Sequence, residues 1–115
     1  MEDFRVTTKT QDDWMVFQVE GDLDVYTSAR LSTSLFDVID KQEVLGVGVD
    51  LSRVNFMDSA GLSVIIRGHK RAQASQLGFR LINPRYQIRR ILEVTDLVSL
   101  LAIEDGTSES ASMRG

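Results

Sequence analysis

The residues best placed to do chemistry lie in Val49-Asp-Leu-Ser-Arg-Val-Asn-Phe-Met-Asp-Ser-Ala-Gly-Leu62, where an apolar strand pattern hands over to a helix through polar side chains. Asp58 and Ser59 stand at that handover. Either side chain can cap the helix by accepting a hydrogen bond from the free N–H groups of its first turn. The same position suits a phosphoserine, which would meet unpaired N–H groups and the positive end of the helix dipole. Capping and modification are compatible, and these residues alone leave both open.

A nucleophilic role for Ser59 needs a base within reach. His69 is the only histidine, and it falls ten residues further along the same predicted helix, about 15 Å away at the usual rise. The run Asp58-Ser59-Ala60-Gly61 also lacks the Gly-x-Ser-x-Gly turn of hydrolases, so both observations argue against a hydrolase. Among apolar neighbours at helical spacing, His69 reads as a packed or boundary residue. Asp22 and Asp24 follow Gly21 between a strand and a helix, where they serve as turn formers and as early-helix charges that suit the dipole. A receiver-type phosphoaspartate site would need an acidic pair after the first strand of a parallel sheet and a lysine ending a later strand. Here the pair follows a hairpin, and Lys9, Lys41 and Lys70 lie elsewhere. No glycine-rich phosphate loop occurs.

The bulk composition narrows the classes further. With 115 residues, 43% of them hydrophobic and 26% charged, the chain suits one globular domain with its own core. Zero cysteines remove disulfides, thiolate metal sites and thiol nucleophiles together, and a lone histidine leaves no set of nitrogen ligands, so no metal or cofactor is expected. The net charge is −4, with basic residues scattered except for Arg85, Arg89 and Arg90, which argues against direct nucleic-acid binding. Neither a leader-like start nor an apolar run of roughly 20 residues is present, so a cytoplasmic protein with no membrane span is expected.

Hydrophobic period and turn chemistry predict the strands and helices that hold Asp58 and Ser59 in place. Phe4, Val6 and Thr8, then Met15, Phe17 and Val19, alternate about a polar turn from Thr10 to Asp13, which predicts a hairpin. Leu31, Leu35, Val38 and Ile39 take up helical spacing, with Thr27 or Ser28 as the cap and an end near Asp40. Val47, Val49 and Leu51 alternate with Gly46, Gly48 and Asp50 in a central strand that has one close-packed face. A second helix follows, with Leu62, Ile65, Ile66, His69 and Ala72 on its buried face and Gly78 stopping it after Gln76. A strand from Gly78 to Ile82, a third helix opened by an Asn83 cap and Pro84, and a short strand near Leu100 to Ile103 complete the pattern. Trp14, Phe17, Phe36 and Phe56 read as core or core-edge aromatics. The expected fold is α/β, a mixed β-sheet with helices packed on one side, over residues 1–104; the Ser- and Gly-rich segment 105–115 is expected to be a disordered tail.

With the elements in place, the motifs carry a family likeness. Asn55-Phe-Met-Asp-Ser-Ala-Gly-Leu62, preceded by Val49-Asp-Leu51, resembles the signature of STAS domains of the anti-sigma factor antagonist type. Gly21-Asp-Leu-Asp24 with Thr27 resembles that family's N-terminal motif, and Ile88-Arg-Arg-Ile-Leu-Glu-Val-Thr-Asp-Leu97 its C-terminal helix and turn. Two departures stand out: Ala60 replaces a frequent second Ser or Thr and leaves Ser59 as the sole hydroxyl beside Asp58, and Ser63 stands where glycine is common.

The resemblance implies a binding protein rather than an enzyme. It implies that Ser59 is the acceptor of a phosphate from an anti-sigma factor that is itself a serine kinase, with a phosphatase to reverse the step. The implied contact surface comprises Asp22, Asp24, Asp58, Ser59, Ala60, Gly61 and Ser63. A competing expectation from the same resemblance is a sensory or scaffold module that binds a small ligand or a signalling assembly.

Overall fold

In a computed structural model of the chain, the described residues are 3–97 and 101–104. Strands β1 (Arg5–Gln11) and β2 (Trp14–Glu20) form an antiparallel hairpin with Gln11 opposite Trp14. Its two loop residues, Asp12 and Asp13, have φ of 53° and 67°. That left-handed pair is what a two-residue hairpin loop requires to match the strand twist. The chain continues as α1 (Val25–Lys41), β3 (Gly46–Arg53), α2 (Ser59–Ala74), β4 (Gly78–Ile82), α3 (Tyr86–Val94) and β5 (Ala102–Glu104). Strand order equals chain order, and every pair after the first is parallel. Sequential parallel strands joined by right-handed crossovers place α1, α2 and α3 on one side of the sheet.

Register then decides what meets the helices. Phe17 pairs with Val49 and Val49 with Leu81, and all three are fully buried. Leu31, Leu35 and Ile39 of α1, Ile65 of α2 and Ile88 and Leu92 of α3 pack onto that face. Burying each such side chain stabilises the fold by about 1.5–3 kcal/mol, well above the tenths contributed by helix propensity. On the opposite face the sheet covers itself. The ring of Trp14 lies over Gly46 and Gly78, where an added Cβ would stand 2.7 and 2.4 Å from its edge. Arg80 stacks on the outer side of that ring at 4.2 Å, and Ile82 leans over Gly48.

Several expected boundaries move. Helix α1 begins at Val25, capped by Asp24 rather than by Thr27 or Ser28. The buried stripe of α2 is Gly61, Val64, Ile65, Gly68 and Ala72, whereas Leu62, Ile66 and His69 are half-buried. Two glycines in that stripe let the helix sink closer to its neighbours, which rotates the larger side chains toward the rim. Gln76, with φ of 62°, turns the chain after α2, and Gly78 opens β4 beneath Trp14. Asn83 does not cap α3. Its N–H donates to the carbonyl of Glu104 and its φ is 51°, which holds it at the end of β4; Pro84 is buried, and Arg85 becomes the N-cap without a side-chain bond. Phe56 is 51% exposed and is no part of the core. The final strand is confined to Ala102–Glu104, and the expected tail at 105–115 lies outside the described residues.

Candidate functional site

The loops after β2, β3 and β4 and the starts of all three helices gather at the C-terminal end of the parallel strands, as the topology demands. Backbone hydrogen bonds tie the first two loops together. Gly21 N–H donates to the carbonyl of Arg53 at 3.1 Å, Leu23 N–H to that of Phe56 at 2.9 Å, and Asp58 N–H to that of Leu23 at 3.0 Å. Leu23 and Met57 form an isolated parallel bridge, and both side chains are buried. The first turn of α1 is thereby held beside the first turn of α2.

Each turn has an aspartate at its cap. Asp24 Oδ1 accepts from the N–H groups of Tyr26 and Thr27, both at 3.0 Å, while Asp24 N–H donates to Thr27 Oγ1 at 2.8 Å. The Thr27 hydroxyl donates to the carbonyl of Asp22 at 2.7 Å, so one buried side chain fixes the whole Asp22–Asp24 turn. Chiefly because the Thr27 N–H favours the charged form, the Asp24 carboxyl sits below the ordinary aspartate range; desolvation opposes this, and the Thr27 hydroxyl and Tyr26 N–H reinforce it. Asp58 Oδ1 accepts from Ala60 N–H at 2.8 Å and Gly61 N–H at 3.2 Å.

Of the residues singled out from sequence, Asp22, Ser59 and Ser63 are exposed and Asp24, Asp58 and Ala60 half-buried. Ser59 and Ser63 lie one turn apart and share a face of α2. Gly61 is buried, where a Cβ would come within 2.6 Å of Met57 Cγ and 2.9 Å of Leu23 Cβ, so its part is to let the helix approach the loop. The expectation of unpaired donors for a phosphate on Ser59 fails for two of the first-turn N–H groups. The N–H groups of Ala60 and Gly61 are already taken by Asp58.

Two apolar residues missing from the sequence reading, and a third read there as a core or core-edge aromatic, also belong here. Val25 and Tyr26 are 63% and 81% exposed on the first turn of α1, and Phe56 stands in the loop just before Asp58. A signal for the first two was present: extending the Leu31–Leu35 stripe one turn backwards lands on Thr27 and Ser28, which leaves Val25 and Tyr26 on the outer side. Around the site, Asp3, Asp22 and Asp24 flank one groove. On another side, Arg85 bonds the Asn55 side chain and Gln87 Nε2 donates to the Asn55 carbonyl at 3.2 Å, which docks the start of α3 on the same loop.

His69 packs edge-on against Phe79, ring centroids 5.9 Å apart, as a boundary residue remote from Ser59 on the same helix. Among the described residues no group of three or more metal-ligating side chains comes together, and no helix is long and apolar enough to cross a membrane.

Comparison with known proteins agrees with this architecture. The family described as STAS domain matches residues 5–110. An anti-sigma-B factor antagonist of Staphylococcus epidermidis is 31% identical over 103 residues, which span 89% of this chain and 94% of that protein. A crystal structure from Thermotoga maritima, described as a candidate anti-sigma factor antagonist, superposes with a TM-score of 0.84 at 26% identity and covers 94% of this chain and 92% of that one. The Bacillus cell fate determinant SpoIIAA in its phosphorylated form gives a TM-score of 0.74 at 22% identity, with 96% and 97% covered, a likeness of fold.

Proposed function

This chain belongs to the STAS domain family, and from that premise we propose that it is an anti-sigma factor antagonist whose activity is switched by phosphorylation of Ser59. In the unmodified state the surface around Ser59, with the Asp22–Asp24 turn beside it, binds an anti-sigma factor that is also a serine kinase and so frees the sigma factor. The chain is the substrate of that kinase rather than a catalyst, and a phosphatase restores it.

One observation carries the reading: Ser59 is an exposed hydroxyl on the first turn of α2, held by backbone bonds beside a second exposed turn. A kinase can reach such a hydroxyl without unfolding anything. Phosphorylation adds close to two negative charges next to the Asp58 carboxylate, where the Ala60 and Gly61 N–H donors are occupied. The phosphate therefore gains little from its own protein and must lose water if the surface is covered. Burying a charge without a partner costs an interface about 2–5 kcal/mol, enough to release the kinase.

The test uses the purified kinase and mass spectrometry. Wild type is expected to gain one phosphate and Ser59→Ala none, and Ser59→Asp to bind the kinase at least tenfold more weakly than wild type. A phosphate that still appears on Ser59→Ala would refute the site; undiminished binding by Ser59→Asp would refute the switch.

A further inference from the structure

Resting on the reading above, we infer that Tyr26 and Phe56 are the apolar anchors of the docking surface, inserted into a dry recess of the kinase whose rim is basic where it faces Asp3 and Asp22. Of its six other aromatic rings the protein covers five, the exception being Tyr86 on the first turn of α3, which is 75% exposed. Phe17 and Phe79 are buried, and arginines lie over Phe4, Phe36 and Trp14 at 4.2 to 5.5 Å. Among the described residues no such cover lies over Tyr26 or Phe56, although they are 81% and 51% exposed. Both lie on segments tied to the Ser59 turn: Phe56 precedes Ser59 by three residues, and Tyr26 lies on the first turn of α1, whose preceding loop is bonded through Leu23 to Phe56 and Asp58. Rigid aromatic side chains at the centre of a patch are where binding energy concentrates, because they bury much area for little lost rotamer freedom.

Charge selects the occupant. The groove beside this patch is flanked by Asp3, Asp22 and Asp24, so a second copy docking through the same face across a two-fold axis would set these acids against themselves. A partner with an apolar recess and a basic rim has no such conflict. The same arrangement explains why a phosphate is an effective switch. A dianion placed on a surface that must become dry has to shed its own water, and the acidic flank offers nothing in return.

Titration of the purified kinase that phosphorylates Ser59 tests this. Tyr26→Ala and Phe56→Ala are each expected to weaken binding about tenfold or more, whereas Tyr26→Phe stays within about threefold of wild type. Leu45→Ala is the control. That residue is 63% exposed, between the two anchors, but sits at the opposite end of β3, and its loss is expected to leave affinity unchanged. Circular dichroism melts should show all four variants folded.

If both alanine variants bind like wild type while Ser59→Asp lets go, the anchors are wrong and the switch survives. If Tyr26→Ala removes a self-dimer seen in sedimentation and leaves kinase affinity intact, a second copy is the occupant and the inference is overturned. Should wild type not bind the kinase at all, the functional reading fails first and takes this one with it.

Discussion

Gly61 of α2 approaches Leu23 of the β2–α1 loop so closely that a Cβ on the glycine would stand 2.9 Å from the leucine Cβ and 3.2 Å from its carbonyl oxygen. Neither atom can swing away, because Leu23 is fully buried and both its backbone groups are bonded to the Phe56–Asp58 loop. This contact sets the distance between the two exposed helix starts.

Gly61→Ala is therefore expected to destabilise the protein. Overpacking at such a contact costs about 1–3 kcal/mol, and the gain in helix propensity from alanine returns at most about 1 kcal/mol. A lower midpoint in chemical denaturation with an unchanged slope is the expected result, accompanied by weaker kinase binding as α2 is pushed off Leu23. An unchanged midpoint would mean that the loop yields freely.

Asp58 separates capping from charge. Asp58→Ala leaves the N–H groups of Ala60 and Gly61 without their acceptor and should cost about 0.5–2 kcal/mol, whereas Asp58→Asn keeps the cap and should stay near wild-type stability. Phosphorylation of Ser59 is expected to leave the melting temperature of the wild type almost unchanged, since those donors are occupied. In the Asp58→Ala background the phosphate can take the vacated donors, so the modified variant should melt higher than the unmodified one. Equal melting points in that background would remove the occupancy argument.

Acid sensitivity should follow from Asp24. Its carboxyl is depressed in the folded protein, so its ionised form favours the fold above the unfolded pKa of about 3.9, and that contribution disappears as the pH falls through the lower folded value. Asp24→Asn keeps an acceptor for Tyr26 and Thr27 but cannot titrate. Its stability should consequently change less with pH below about pH 4 than that of wild type, as urea midpoints measured across the acid range would reveal.

Trp14 reports on the open face of the sheet. Gly78→Ala would place a Cβ 2.4 Å from the Trp14 ring, which can leave only by swinging into solvent and losing Arg80. Because the chain has a single tryptophan, the expected outcome is a red shift in fluorescence emission. Kinase binding should be unaffected, for Trp14 and Gly46 pair at the end of the parallel strands away from Ser59. Unshifted emission would show that the sheet, not the ring, gives way.

Element order, the mixed sheet and the strand-to-helix junction at Asp58 and Ser59 were legible from the residues alone, because two-residue and helical periods and capping side chains are local properties. The face of α2 that is buried was not local: Gly61 and Gly68 carry no hydrophobic signal, yet they allow the close approach to Leu23, Leu35 and Phe79 that rotates the helix. Asn83 and Pro84 have the local form of a helix start, but pairing of β5 with β4 took Asn83 for the sheet. Likewise Phe56 has the composition of a core residue, yet in the loop whose carbonyl accepts from Leu23 its ring lies at the surface. Contacts between segments far apart in the chain decide such cases, since their geometry depends on how closely two backbones can approach and not on the pattern within either one.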